Sequence, residues 1–380
     1  MNTVSYARWV IKYRWFVILA TFVAVFFAAS GLPRLFFSTD YRYFFSSENP
    51  ELTAFEELQD TYTKNDNVLF AIEPKDGNVF TPKTLAVIEE LTHASWQIPY
   101  SLRVDSITNF QHTEAEGDDL KVGDLVKGAA SLSTEELKRI KKIALNEPLL
   151  LNRLITDKTD ITGVNVTINL PGKSITEVPS VVAFARGMAD DIRSKHPDIK
   201  VYLTGTTVMN NAFAEASQGD IQKLNPIMFL VIFVIMAILL RSFAATVATI
   251  FVIVMSALTA MGIAGWLNTP LTPMSVIAPT IILTLAVADS IHILVSMFNA
   301  MEEGKDKREA MIESLRINMQ PIFLTSITTV IGFLSMNFSD SPPYHDLGNI
   351  VSIGIVAAFF FSVLFLPAAI AILPLRKRKP

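Results

Sequence analysis

The 380-residue chain is 51% hydrophobic and only 18% charged, a balance outside that of ordinary water-soluble domains. Its net charge of −4 supplies no basic surface for nucleic acid, and the absence of Cys excludes disulfides, thiolate nucleophiles and Cys-based metal or Fe–S sites. The apolar residues gather near the N-terminus and again after residue 225, with a long polar stretch between. A bilayer-crossing helix takes roughly 20 apolar residues, and six such segments occur. The chain therefore reads as an α-helical bundle of six transmembrane helices with one large α+β domain outside the membrane. Four parts follow: residues 1–32 (N-terminus and first span), 33–224 (the polar domain), 225–375 (five clustered spans) and 376–380 (a basic tail).

In chain order, the first span is Phe16–Leu32, preceded by Arg8, Lys12 and Arg14. A cleaved signal peptide has a similar layout, but the length of the run and the spans that follow favour an uncleaved anchor. In the polar domain, Thr63–Glu73 predicts a buried strand, Thr81–Ala94 a helix and Leu102–Thr108 a strand. The order repeats as a strand at Gly163–Leu170, a helix at Val178–Ser194 and a strand at Ile199–Gly205. Two β-α-β units are expected, each a small sheet with helices on one side. The charged segment Gln111–Asp157 between them reads as an insertion or lid. Asn165-Val166-Thr167 fits a glycosylation pattern, yet Asn165 alternates within a strand and reads as a polar strand-face residue. Met209–Gln222 predicts a helix running into the second span.

The remaining spans are expected at Pro226–Leu240, Ala244–Trp266, Met274–Phe298, Ile322–Phe338 and Ile350–Leu373. Only Arg241 and Ser242 separate the second from the third, which demands a tight turn. Met301–Gln320 reads as a loop with a short interfacial helix whose Ala310, Met311, Ile312, Leu315 and Ile317 face the headgroups or stay unpartnered. With the N-terminus inside, the cytoplasmic segments hold twelve Lys and Arg residues, whereas the outer loops Leu267–Pro273 and Ser339–Asn349 hold none. Both termini are therefore expected in the cytoplasm and the polar domain outside.

Apart from Arg241 at a turn, Asp289 is the one acidic or basic group well inside a predicted span. Placing a carboxylate there costs roughly 2.5–3.5 kcal/mol on insertion scales, so its default reading is functional. Asp289, His292 and Ser296 stand at i, i+3 and i+7 on one helical face, with Ser290 beside them. The fifth span offers a matching polar row in Thr325, Ser326, Thr328 and Thr329, with Gly332 permitting close helix packing. Burial penalises the charged carboxyl, so Asp289 can take up and release a proton, with His292 relaying the proton or tuning it. Two other readings stay open: a structural contact in which Thr328 or Thr329 caps Asp289, and sodium coordination by Asp289 with nearby hydroxyls. The five His residues form no ligand cluster with carboxylates, and the glycines match no nucleotide-binding loop. Neither a metal, a cofactor nor ATP as direct energy source is expected.

Three stretches carry a family resemblance: Ala288-Asp289-Ser290-Ile291-His292, Thr325-Ser326-Ile327-Thr328-Thr329-Val330-Ile331-Gly332-Phe333 and Phe365-Leu366-Pro367-Ala368. With the layout of one span, an outer domain and five more spans, the chain resembles the N-terminal half of a resistance-nodulation-division (RND) exporter. The nearest branch is the MMPL and hydrophobe/amphiphile efflux type, related to Patched-like and sterol-sensing-domain proteins. The resemblance implies a secondary active transporter of a bacterial inner membrane rather than an enzyme. It implies that Asp289 couples protons to export and that the outer, porter-like domain guides a lipid, a hopanoid- or sterol-like molecule or a drug. Such transporters usually carry about twelve spans in two pseudo-repeated halves. The six here imply part of a longer chain or a half-size member that pairs with a second half, itself included, or forms a higher homo-oligomer amid membrane lipids. Two rival functions share this architecture: a non-transporting module that senses lipid or scaffolds other proteins, and a Sec-type protein-translocation accessory.

Overall fold

The computed structural model describes residues 2–374 apart from 39, 63–65, 172, 173 and 175, so the expected basic tail 376–380 and the first three residues of the Thr63–Glu73 strand lie outside the described residues. The elements run α1 (Thr3–Lys12), α2 (Arg14–Ala29), α3 (Pro50–Thr61), β1 (Asn67–Pro74), α4 (Pro82–Ser95), β2 (Ser101–Asp105), β3 (Gln111–Glu116), β4 (Asp119–Asp124) and α5 (Thr134–Asn146). They continue with β5 (Thr162–Ile168), α6 (Glu177–Lys195), β6 (Ile199–Thr204), α7 (Thr206–Gly219), α8 (Asn225–Leu240), α9 (Phe243–Trp266), α10 (Ala278–Glu302), α11 (Lys307–Leu334), α12 (Pro342–Phe360) and α13 (Leu366–Ile372). Two compact units result, one of residues Pro50–Phe213 and one of Met1–Asn49 with Ala214–Pro380.

In the α/β unit, β1 alternates so that Val68, Phe70 and Ile72 are fully buried. Leu85, Ile88 and Leu91 of α4 and Val181, Ala185 and Ala189 of α6 join them in one core. Burying each large side chain of this set contributes about 1.5–3 kcal/mol. The expectation of two small sheets is corrected: the strands interleave in one antiparallel sheet ordered β2-β5-β1-β6. The crossover through α4 leaves a gap one strand wide between β1 and β2, and β5 fills it, with Val166 opposite both Val68 and Val104. Two separate two-stranded sheets would leave four unpaired edges and little stability. Asn165 is a strand-face residue, as read from its alternation, and its Oδ1 accepts from Asn67 Nδ2 at 2.6 Å.

The segment Gln111–Asp157 is not a lid. Its hairpin β3–β4 is an insertion, but Leu125, Val126, Ala129, Ile140, Ala144 and Leu150 return into the shared core. A capping box starts α5: Ser133 Oγ accepts from the Glu136 amide, and Glu136 Oε2 accepts from the Ser133 amide at 2.7 Å.

The other unit is a multi-pass membrane bundle. Six helical stretches are long and apolar enough to cross a bilayer: Arg14–Arg34, Thr206–Leu240, Phe243–Trp266, Ser275–Glu302, Lys307–Phe338 and Pro342–Ile372. The tight turn between α8 and α9 is made by Arg241 in the left-handed region (φ 46°), after which Ser242 caps α9 by accepting from the Ala245 amide. Backbones meet where α2 and α9 cross. A Cβ on Gly262 would lie 2.2 Å from the Ala28 carbonyl oxygen, and one on Gly31 would lie 2.0 Å from that of Gly262. Only glycine fits at this contact.

The expected interfacial helix in Met301–Gln320 is also corrected. The helix α11 runs unbroken from Lys307, capped by Asp306, whose Oδ1 accepts from the Arg308 and Glu309 amides at 2.8 Å. Its Ala310, Met311 and Leu315 pack into the bundle core instead of facing headgroups. Ser314 fastens this turn by donating to the Ile293 carbonyl of α10 at 2.5 Å.

Pro367 has no N–H for the Val363 carbonyl, and the chain forms a π turn at Phe361–Phe365 before α13. The Tyr6 hydroxyl supplies the missing donor, reaching Val363 O at 3.3 Å.

Candidate functional site

The buried stripe of α10 runs through Ile282, Ala286, Asp289, Ser290, Ile293 and Met297, the three- and four-residue steps of a helix face. Asp289 is thus turned into the bundle and is 8% exposed. One turn away on either side stand Ala286 and Ile293, both fully buried. Among the described residues no hydrogen bond or ion pair reaches the Asp289 carboxyl. Ser290, wholly buried beside it, has an Oγ with no partner, as does Ser362 in the π turn.

The other predicted residues are distributed differently. His292 is exposed and Ser296 half-buried, and neither is hydrogen-bonded to Asp289. The threonines of α11 turn their hydroxyls onto their own helix: Thr325 donates to Ile322 O at 2.9 Å, Thr328 to Leu324 O at 2.8 Å and Thr329 to Thr325 O at 2.7 Å. The alternative in which Thr328 or Thr329 caps Asp289 is not seen among the described residues. These short i−4 and i−3 bonds satisfy a hydroxyl within an apolar span without any second helix.

Gly332 corrects a further expectation, since a Cβ there would meet nothing within 4 Å. Close approach occurs at Gly262 instead, and at Gly354, where a Cβ would fall 2.2 Å from Ile282 Cδ1 of α10. Gly332 belongs to an outward row with Thr325 and Thr328, while α10 presents Thr284, Ala288, His292 and Asn299 outward. Two adjacent spans therefore expose polar groups, with Asp289 just inside.

Two features escaped the sequence. The first is the Ser314 and Asn318 pair, where Asn318 Nδ2 donates to Ser314 O at 2.9 Å and both side chains are buried between α10 and α11. A lone Ser gives no signal of its partner across a helix interface. The second is a cavity of about 650 Å³ among α9, α11 and α12, lined by apolar groups such as Ile263, Val356 and Phe360 and by polar Thr259, Asn349 and Ser352. Asn349 exchanges two amide hydrogen bonds with Asn337, 3.0 and 3.1 Å.

Comparison with known proteins bears on this arrangement. Residues 109–379 match the model of the MMPL family. The hopanoid transporter HpnN of Rhodopseudomonas palustris is 25% identical over 55% of the chain, and Mycobacterium tuberculosis MmpL2, named a probable transport protein, is 23% identical over 57%. The chain spans less than a quarter of either relative, 24% and 23% of their lengths. The Methanocaldococcus jannaschii protein MJ1562 is 21% identical over 95% of the chain and 92% of its own length. The chain belongs to the MMPL family of the RND superfamily, whose members are membrane transporters.

Proposed function

We propose that the chain forms one six-helix half of a proton-driven exporter of hydrophobic or amphiphilic molecules, with Asp289 as its proton-coupling carboxyl. The observation that carries this reading is a buried carboxyl with no cation or donor beside it among the described residues. An uncompensated buried charge costs several kcal/mol, a cost that a bound proton removes. Uptake and release of that proton would change how α10 packs against α9, α11 and α12. The outward polar rows of α10 and α11 would be covered by a second half, a further copy or another chain, and His292 and Thr328 would then face that half. The wide apolar cavity among α9, α11 and α12 suits an apolar cargo in size, since drug-sized ligands occupy about 300–1,000 Å³.

In this reading the chain lies in the inner membrane with both termini cytoplasmic. Twelve basic residues on one side and none in the short loops of the other support that orientation. The α/β unit then lies outside as the porter-like domain that accepts and releases cargo. The test is proton flux in liposomes holding the assembled protein, native against Asp289→Asn, across candidate lipids. Cargo-dependent flux is expected in the native protein and absent in the variant. Full transport by Asp289→Asn would sink the proton-coupled form.

A further inference from the structure

Away from Asp289, where α1 packs on α11, a cleft of about 410 Å³ is lined by Arg8, Ile11, Lys12, Arg14, Arg308 and Ile312. Four of those six side chains are cations and none is a carboxylate. Among the described residues no ion pair joins any of the four to an acid. Lys12 rests only over the Tyr13 ring, 5.2 Å from its centroid. Arg14 Nη1 reaches Ile11 O at 3.4 Å, but its Nε–H is buried and meets no acceptor. Lys307, next to Arg308, is fixed nearby by donating to Leu373 O at 2.8 Å. Gathering like charges around a concave space raises the energy of the empty site, and an anion in the cleft lowers it.

We infer that this cleft binds the phosphate of an anionic phospholipid of the surrounding leaflet. The source is a lipid and not a soluble anion because of what flanks the cations. Trp9, Tyr13, Trp15 and Phe16 are 41%, 45%, 66% and 65% exposed, and exposed Trp and Tyr at the end of a span mark the headgroup level. Ile11 and Ile312 give the cleft an apolar wall for the glycerol and first methylenes. The gathered positive charge attracts the net negative charge of an anionic headgroup, which a zwitterionic headgroup offsets with its own cation.

Native mass spectrometry of the full chain, titrated with phosphatidylglycerol or with phosphatidylcholine of the same acyl chains, tests the site. Phosphatidylglycerol is expected to bind about fivefold tighter or more, the effect of roughly one well-placed basic residue. The triple variant Arg8→Gln/Lys12→Gln/Arg308→Gln, which alters exposed side chains only, is expected to bring the ratio near one. Arg8→Lys/Arg308→Lys is expected to keep it. A ratio near one in the native chain overturns the proposal, as does an unchanged ratio in the triple variant or its loss in the lysine variant. Millimolar inorganic phosphate that binds the native chain as tightly as the lipid would likewise overturn it, assigning the cleft to a soluble anion.

Discussion

Alanine at Gly262 and at Gly332 makes the same chemical change on two membrane helices and is expected to act with opposite sign. At Gly262 the new methyl group would sit 2.2 Å from Ala28 O, 2.7 Å from Ala28 C and 2.8 Å from Ala29 Cα. All three are backbone atoms, so no rotamer change relieves the clash, and α2 and α9 must part by about 1 Å to restore ordinary contact. That shift would strain the Trp266 indole bond to Phe27 O at 3.3 Å, the Phe27–Trp266 stack and the Arg34 guanidinium 4.0 Å from the Trp266 ring. Overpacking of this kind costs about 1–3 kcal/mol, a fall in melting temperature of roughly 1–4 °C for a chain of this size. At Gly332 the methyl meets nothing within 4 Å, and removing a helix glycine gains up to about 1 kcal/mol. The assay is thermal unfolding of purified protein in one detergent, followed by Trp fluorescence, for Gly262→Ala, Gly332→Ala and native chain. Equal melting temperatures for the two variants would refute the assignment of the contact to α2 and α9.

Other outcomes follow from the same geometry. Replacing Asp289 by Leu is expected to raise the melting temperature at neutral pH, because an unpaired buried carboxyl gives way to an apolar side chain, a gain of about 1–3 kcal/mol; a lower melting temperature would mean that the carboxyl has a stabilising partner. Ser133→Ala removes one arm of the capping box and should cost about 1 kcal/mol, seen as faster amide exchange at the start of α5 and not in α4. Tyr6→Phe leaves the Val363 carbonyl without its donor and should cost about 1 kcal/mol, checked by the same melts. Hydrogen bonds from Lys200 to Glu73 and from Lys83 to Asp198 hold both carboxyls below their ordinary values of 4.5 and 3.8. Their contribution is therefore complete above those values and is lost as pH falls through the lowered folded-state range. Denaturant titrations should show the acid-side loss of stability, and Lys200→Gln should flatten it.

The spans were legible because bilayer burial writes itself as length and hydropathy, which a single strand of sequence carries in full. The strands β1 and β5 were legible for a similar reason, since Asn67–Ile72 is an apolar run too short for a helix and Val164, Val166 and Ile168 alternate with Asn165 and Thr167. Their pairing was not, because alternation states which face is buried and says nothing of which strand lies next door. The Met301–Gln320 segment misled for a comparable reason. Charges at Glu302, Lys305, Arg308 and Glu313 mark water or headgroups, but the opposite face carries Ala310, Ser314 and Leu315, and only the folded partner shows that this face meets α10. At the site, Asp289 stood out by being alone in apolar surroundings. The Thr325, Thr328 and Thr329 row looked like its complement, yet a threonine in a helix can always satisfy itself on the preceding turn. Sequence spacing gives the face of a helix and leaves its neighbour unspecified.

The interleaved sheet also sets the order in which the α/β unit can be made. Its central strand β1 finds both neighbours, β5 and β6, in the far part of the unit, about 95 and 135 residues downstream. A nascent chain that has emerged only as far as residue 160 offers β1 and β2 no partner, so Phe70 and Val104 have no sheet to shield them. Sheet closure waits for Thr204, and such distant pairings are slow to form. Since the first span precedes the unit and the remaining five follow it, folding of the α/β unit and insertion of α8 onward compete in time. Substitutions that weaken β5 should therefore appear first as poor yield and proteolysis during synthesis, before any loss in the finished protein.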